Sequence, residues 1–332
     1  MEKVAYHISD ACDERTWDSF VRNHPRGHVF QLPDFYHAHA LGPQTSAIAR
    51  FAFLHSTLVG VMVGVVIRSS FGFLSARTIV RGGPLLAKGH EAVLALLLRS
   101  FNEKARTVSL VTQIRPLFPF PDTCAASLVS AGFSFESHLN FLNDLSSGEL
   151  VMWQTVHRHR RRNIRKARHH LTVTRADGSS LSSTYSILRH NYRRYRMPLL
   201  PINVFRRLYN SLSLKDEFLI FVVKKGEKTI GTLFALGLNR SLYCWYACSL
   251  QDSYKYYPND LIHWEVMRWG TQNGYSQFDF GGAGSPQVPY GVRDFKRQYG
   301  GQEWNVGRWT CIHHPLLYSV ARRGFDLLRN WI

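Results

Sequence analysis

The chain has 332 residues, of which 45% are apolar and 13% aromatic, enough to bury a sizeable core and to exclude a disordered polyelectrolyte. Its 41 Lys and Arg against 23 Asp and Glu leave a formal charge of +18, which favours anionic partners: nucleic acid, phosphorylated small molecules or an acidic membrane surface. Five scattered Cys (12, 124, 244, 248, 311) show no metal-ligand spacing and, being odd in number, predict a reduced, cytoplasmic chain. No metal site is expected.

The opening stretch MEKVAYHISDACDERTW is polar and acidic, unlike a signal peptide. The longest apolar run, LVGVMVGVVI (58–67), has ten residues, too few for a bilayer, so no transmembrane segment is predicted and any membrane contact is peripheral.

Residues 50–67 pattern as a β-hairpin: two apolar runs around a polar turn. A third strand follows in FGFLSARTIV (71–80), then a helix in HEAVLALLLRSFNEKA (90–105) and a strand in TVSLVTQI (107–114). The half closes with a helix ending in Gly and a last strand, CAASLVSAGFSFESHLNFL (124–142). The same order returns later. FLIFVVKKGEKTIGTLFALGL (218–238) is a hairpin and SLYCWYACSL (241–250) a strand, in which Cys244 and Cys248 suit alternate-position packing. NDLIHWEVMRWGTQNG (259–274) is a helix that Asn259 or Asp260 can cap and Gly274 can end. YSQFDF (275–280) and FKRQYGGQEWNVGRWTCI (295–312) complete the copy.

The fold class expected is thus α/β (α+β), with two tandem domains over 1–150 and 151–332, each a mixed sheet flanked by helices. The segment DLSSGEL (144–150) is the hinge between them.

At the start of the second half lies HRHRRRNIRKARHH (157–170), with six Arg, one Lys and no acid. Trp153, Val156, Ile164, Ala167 and Leu171 fall at helical spacing, which predicts one amphipathic helix of about 20 residues and ~30 Å. Arg158, Arg161, Arg162, Arg165 and Lys166 then form a cationic face. Without intervening acids such a face is poorly suited to plain solvent and well suited to phosphates of tRNA, lipid headgroups or a diphosphate. A second cluster, LRHNYRRYRMPLLP (188–201) and FRRLYN (205–210), offers arginine forks for phosphate.

In FDFGG (278–282), Phe278 and Phe280 alternate toward a core while Asp279 points the other way. Gly281 and Gly282 let the backbone turn and approach a ligand. Asp279 can orient an amine, pair with an Arg or cap the strand end.

The order of elements resembles the acyltransferase fold called GNAT, present twice. The Gly-rich coenzyme A loop of that fold is absent from both helix starts. RRNIRKARHH followed by a strand, and YYPNDLIHWEVMRWGTQNGYSQFDFGGAGSPQVPYGVRDFKRQYGG (256–301), resemble the FemAB-like peptidoglycan-bridge aminoacyltransferases. Weaker echoes are VFQLPDFYHAH (29–39) and VRGGPLL (80–86). The resemblance is shared with related proteins of exopolysaccharide assembly.

It implies transfer of an aminoacyl or acyl group from aminoacyl-tRNA or acyl-CoA, with no permanently bound cofactor. The acceptor would be an amine of an anionic UDP- or lipid-linked envelope precursor lying in a channel between the two domains. It implies a catalytic role for Lys296, which would stabilise charge at the reacting ester; Asp279 is the second catalytic candidate, from its own place in FDFGG. Phe295, Tyr256, Gly281 and Gly282 would bind substrate, and Arg206 or Arg207 the acceptor's diphosphate. Where the family has Asp-Pro after the first-half strand this chain has Arg115-Pro116, which points to a different anionic acceptor. Two other functions fit the charge: an acyl-CoA-dependent N-acyltransferase of an exopolysaccharide sugar, and a non-catalytic nucleic-acid-binding module.

Overall fold

The computed structural model describes residues 5–40, 42 and 44–331, with side chains in the final helix described through residue 324; the first four residues of the acidic opening stretch lie outside it. In chain order the elements open with β1 (Tyr6–Ser9), α1 (Glu14–Asn23), α2 (Pro33–Ala40), β2 (Thr45–Leu54), β3 (Thr57–Ile67), β4 (Arg77–Arg81) and β5 (Leu85–Leu86). They continue with α3 (Leu94–Arg106), β6 (Val111–Arg115), α4 (Asp122–Ser130) and β7 (Ser134–Glu136). Next come β8 (Leu139–Asp144), α5 (Glu149–Thr155), α6 (Arg158–Arg168), β9 (Thr172–Ala176), α7 (Leu181–Arg194) and α8 (Ile202–Leu212). The chain goes on through β10 (Phe218–Lys225), β11 (Lys228–Leu238), β12 (Ser241–Ser249), α9 (Pro258–Gln272), β13 (Gln277–Gly282), α10 (Gly291–Arg297) and β14 (Gln302–Asn305), and ends with β15 (Arg308–Ile312) and α11 (Pro315–Trp331).

Both predicted hairpins are present as β2–β3 and β10–β11; the second turns tightly, with Lys225 opposite Lys228 and Gly226 at φ +55°. Each sheet contains a parallel pair, β4–β6 in one and β12–β13 in the other, joined through a helix.

The sheets are not cut where the sequence suggested. One has the order β1-β2-β3-β4-β6-β15-β7, with β5 on β3; the other has β14-β8-β13-β12-β11-β10-β9. The last strand predicted for the first half, β8, lies inside the second sheet, and the last strand predicted for the second half, β15, lies inside the first. The compact units are Met1–His138 with Asn305–Ile332 (unit 1) and Leu139–Trp304 (unit 2), which corrects the boundary at 150. Burial explains the exchange. Every residue from Leu139 to Asn143 is buried, so β8 belongs inside a sheet with both faces covered. Trp309 and Cys311 of β15 pack into the core of unit 1 beside Ile114 and Phe133.

In unit 2, Phe141, Phe221, Leu233, Leu242, Phe278 and Phe280 meet Ile164, Trp264 and Met267 of the covering helices. On that face Cys244 and Ala247 both pack against the core, an odd spacing that a bulge beside Ala235 makes possible. Cys248 therefore turns to the opposite face, and the two cysteines do not share one side as alternate positions would.

The basic segment is two helices rather than one. Val156 is extended (ψ 129°) and His157 caps α6, while the His157 amide donates to the Gln298 carbonyl at 2.8 Å, a bond that continuous helix would forbid. Helix α9 begins at Pro258 behind a left-handed Tyr257 (φ 58°), with no side-chain cap. Asn259 instead accepts from Ser249 Oγ, and Asp260 pairs with Arg160, so neither is the cap expected. Gly274 follows the helix end at φ +79°, as expected of a terminating glycine.

Candidate active site at the divergence of a parallel strand pair

Strands β12 and β13 pair only from Ser241 with Gln277 to Tyr243 with Asp279. Beyond that point β12 runs on to Ser249 while β13 turns away at a register shift between Asp279 and Gly282. Backbone groups past the parting have no ladder partner across it, and side chains must satisfy them.

Lys296 of α10 does so. Its Nζ donates to the carbonyls of Phe280 (2.6 Å), Gly281 (3.0 Å) and Gly282 (2.9 Å). An ammonium has three donors, and all three are engaged. Asp279, 3% exposed on the face opposite Phe278 and Phe280, accepts from the Gly281 amide (2.6 Å) and from Asn140 Nδ2 (3.0 Å), both at Oδ1. Gly281 is left-handed (φ +71°), and a Cβ there would stand 2.9 Å from Tyr243 Oη, so only glycine fits the turn without displacement. Arg293, 8% exposed, staples the following loop by donating to the Ser285 and Val288 carbonyls at 2.6 Å each.

Burial raises the Asp279 carboxyl to about 6, against the lowering effects of its two hydrogen bonds and of Lys296. Burial lowers Lys296, opposed by Cys244 and Asp279. Beside them Cys244 Sγ lies 3.8 Å from His263 Nε2. His263 Nδ1 bonds the Asn259 carbonyl at 2.8 Å, which assigns the proton to Nδ1 and leaves Nε2 to accept from the thiol. Burial pushes Cys244 up to about 12 and His263 down to about 4, so the pair is neutral.

Of the residues expected from sequence, the structure brings together Lys296, Asp279, Gly281 and Gly282. Phe295 is a wall of the packed cluster, edge-on to His263 at 5.3 Å and covered by the Arg160 guanidinium at 4.5 Å. Tyr256 lies elsewhere: its hydroxyl accepts from Lys225 (2.7 Å), and its ring meets His170 edge-on at 5.6 Å. Arg206 is exposed and reaches Ser182 of α7 at 3.4 Å, whereas Arg207 is half-buried. On α7 itself, Arg189, His190, Arg193 and Arg194 line a shallow 520 Å³ pocket.

Helix α6 divides its cations. Arg160 is turned inward to Asp260 and Gln298 (2.8 Å each), and Arg168 to Glu265 (2.8 Å). Arg158, Arg162, Arg165 and Lys166 are exposed and Arg161 half-buried; none forms an ion pair with the described residues. Asn140, Arg160 and the Cys244–His263 pair escaped sequence reasoning. Asn140 carried a signal, as one of two amides, with Asn143, inside the buried run of β8.

Unit 1 holds its own cavity of about 1020 Å³ near the C-terminal ends of β4 and β6. Phe20, Leu58, Leu85, Leu86, Leu94 and Phe120 line it, with Arg15, Arg26 and Lys88 also on its wall. Among the described residues no cluster of His, Cys, Asp and Glu could hold a metal ion, and no helix is long and apolar enough to cross a membrane.

Residues 142–297 match the family model of the acetyltransferase (GNAT) domain. The fold is similar to that of FemX (TM-score 0.73, 15% identity, 95% of this chain and 99% of that one). It is also similar to the C-terminal domain of a putative lysylphosphatidylglycerol synthetase from Agrobacterium fabrum (TM-score 0.58, 13% identity, 96% and 97%). A tandem GNAT protein from the clavulanic acid biosynthesis pathway shares it too (TM-score 0.58, 9% identity, 93% and 99%). No curated protein matches the chain in sequence.

Proposed function

We propose that this acyltransferase, a protein of the FemAB-like tandem GNAT fold, moves an aminoacyl or acyl group onto an amine of a cell-envelope precursor where β12 and β13 part. The observation that carries this reading is the juxtaposition of Lys296 and Asp279 at the open end of the parallel pair in a GNAT domain.

In the proposed reaction the acceptor amine attacks the carbonyl carbon of the donor ester. A C–N bond forms, the C–O bond breaks, and the departing oxygen takes a proton. With both of its hydrogen bonds at Oδ1, Asp279 offers Oδ2 to the amine, and a carboxyl near 6 can accept the amine's proton at neutral pH. Lys296 cannot donate directly to the oxyanion without releasing a carbonyl. Its role is a fixed positive charge, felt through a poorly solvated space, that lowers the barrier by a few kcal/mol.

The start of α9 bears on the donor. Pro258 removes an amide at the first helical position, and Asp260 puts a carboxylate in the first turn. Both weaken the helix terminus as a cradle for the pyrophosphate of coenzyme A. That favours aminoacyl-tRNA over acyl-CoA, with Arg158, Arg161, Arg162, Arg165 and Lys166 on its phosphates. Arg206, Arg207 and the arginine row of α7 would take the acceptor's diphosphate. The apolar cavity of unit 1, with three cations against one carboxylate, Glu91, on its wall, suits an amphipathic anionic carrier such as a lipid- or nucleotide-linked sugar.

The test compares thermal protection by aminoacyl-tRNA and by coenzyme A, and follows envelope precursors by mass spectrometry with and without the gene. Protection by tRNA and an aminoacyl mass lost with the gene are expected. Unchanged precursors, or Lys296→Met and Asp279→Asn variants that restore them fully, overturn the reading. Protection by coenzyme A alone would assign the donor to acyl-CoA.

A further inference from the structure

Unit 1 carries an apolar patch with no part in the acyl-transfer reading. The turn between β3 and β4 exposes Phe71 (64%), Phe73 (38%) and Leu74 (46%), and the start of α11 exposes Leu316 (85%), Leu317 (42%) and Val320 (65%). The two segments are neighbours: α11 packs against the turn, and the Phe73 ring meets His314 edge-on at 5.5 Å. Single exposed apolar side chains need no explanation, but a contiguous group on a soluble surface marks an interaction site.

The charge around the group decides what it fits. Residues 68–77 and 312–324 include Arg68, Arg77, Arg322 and Arg323, with His313 and His314, and contain no Asp or Glu. Arg323 is exposed one turn beyond Val320 on the helix face that also displays Leu316, whereas Arg322 is exposed on the far side of that helix. Apolar side chains interleaved with arginine match the boundary between anionic headgroups and acyl chains, and the acid bordering the face, Glu103, sits beside Ile312 and His313 with Arg99 and Arg106 around it. A second copy of this chain would bring the same arginines face to face, and that like-charge contact is unfavourable.

We propose that this face docks the protein onto an anionic lipid surface. Phe71, Phe73, Leu74, Leu316, Leu317 and Val320 enter the headgroup–acyl boundary, and Arg323 meets lipid phosphates. The proposal stands apart from the acyl-transfer reading, because its test needs neither donor nor acceptor.

The experiment is cosedimentation of the full chain with vesicles of phosphatidylcholine and phosphatidylglycerol, against phosphatidylcholine alone. Binding is expected only with phosphatidylglycerol and should weaken with salt. Arg323→Glu should lower partitioning by about fivefold or more, at roughly fivefold for each arginine charge lost. Leu316→Ser with Val320→Ser should lower it at least tenfold. Melting temperatures should not change, because all three side chains are exposed. A dye on Leu316→Cys should shift to the blue on the anionic vesicles, which reports insertion without disturbing the other residues.

A wild-type protein that ignores anionic vesicles, or patch variants that bind as well as wild type, overturns the proposal. So does loss of binding in Arg161→Glu with Arg165→Glu while the patch variants bind normally, since that assigns the lipid to α6. A wild-type dimer dissociated by Leu316→Ser with Val320→Ser would assign the face to a second copy and equally overturn it.

Discussion

Lys296→Met keeps most of the alkyl stem and removes the ammonium, leaving three carbonyls without the donors now 2.6–3.0 Å away. Hydrogen bonds to a charged group contribute about 1.5–3 kcal/mol each, so the gross loss is about 4.5–9 kcal/mol. Two effects reduce it. Burial already disfavours the charged ammonium, as its lowered pKa shows, and Gly282 is exposed, so water can replace the donor at that carbonyl. The Phe280 and Gly281 carbonyls belong to buried residues and stay unsatisfied at about 1–3 kcal/mol each, giving a net loss of about 2–6 kcal/mol. For a unit of this size that lowers the melting temperature by about 5–15 °C. Calorimetry of the transition of unit 2 at neutral pH measures it, with Lys296→Arg as the control. A planar fork cannot serve three carbonyls that converge on one point, so arginine should recover less than half of the loss. A Lys296→Met protein that melts within about 2 °C of wild type would refute the claim that Lys296 holds the end of β13.

The other outcomes concern neighbouring groups. Asp279 has a folded pKa of about 6, above its ordinary 3.8, so the native state holds the proton more tightly. Stability is then greatest below pH 4 for this group and falls as pH rises to 6, by about 3 kcal/mol in all; urea midpoints of Asp279→Asn should lose that part of the pH dependence. Gly281→Ala forces a left-handed alanine against Tyr243 and should cost about 1–3 kcal/mol, part of it regained in Tyr243→Phe. Arg160→Ala, which strips partners from Asp260 and Gln298, should cost about 2–4 kcal/mol, and exposed Arg158→Ala less than about 0.5 kcal/mol, by chemical denaturation. Cys244 and Cys248, each pushed up to about 12, should resist alkylation at pH 8 in the native protein and react on unfolding, read by peptide mass spectrometry.

Local patterns were legible in the sequence because neighbouring residues carry them. The hairpins announce themselves by apolar runs around polar turns, and FDFGG displays its alternation and its turn in five letters. The break between α5 and α6 could not be read that way. Its cause is a carbonyl at Gln298, far along the chain, which takes the His157 amide and ends the helix. The division of the cations on α6 has the same origin: Arg160 and Arg168 look like their neighbours until Asp260 and Glu265 arrive from α9.

By itself the sequence determined the order of elements, the tandem plan, the excess of positive charge and the glycine-rich turn before Lys296, since each follows from composition or short-range periodicity. Tertiary structure alone decided that β8 and β15 change places between the sheets and that the Lys296 ammonium turns inward to three carbonyls. The physical reason is that strand partnership and hydrogen-bond satisfaction are settled between residues tens to hundreds of positions apart, where burial, not local propensity, selects the pairing.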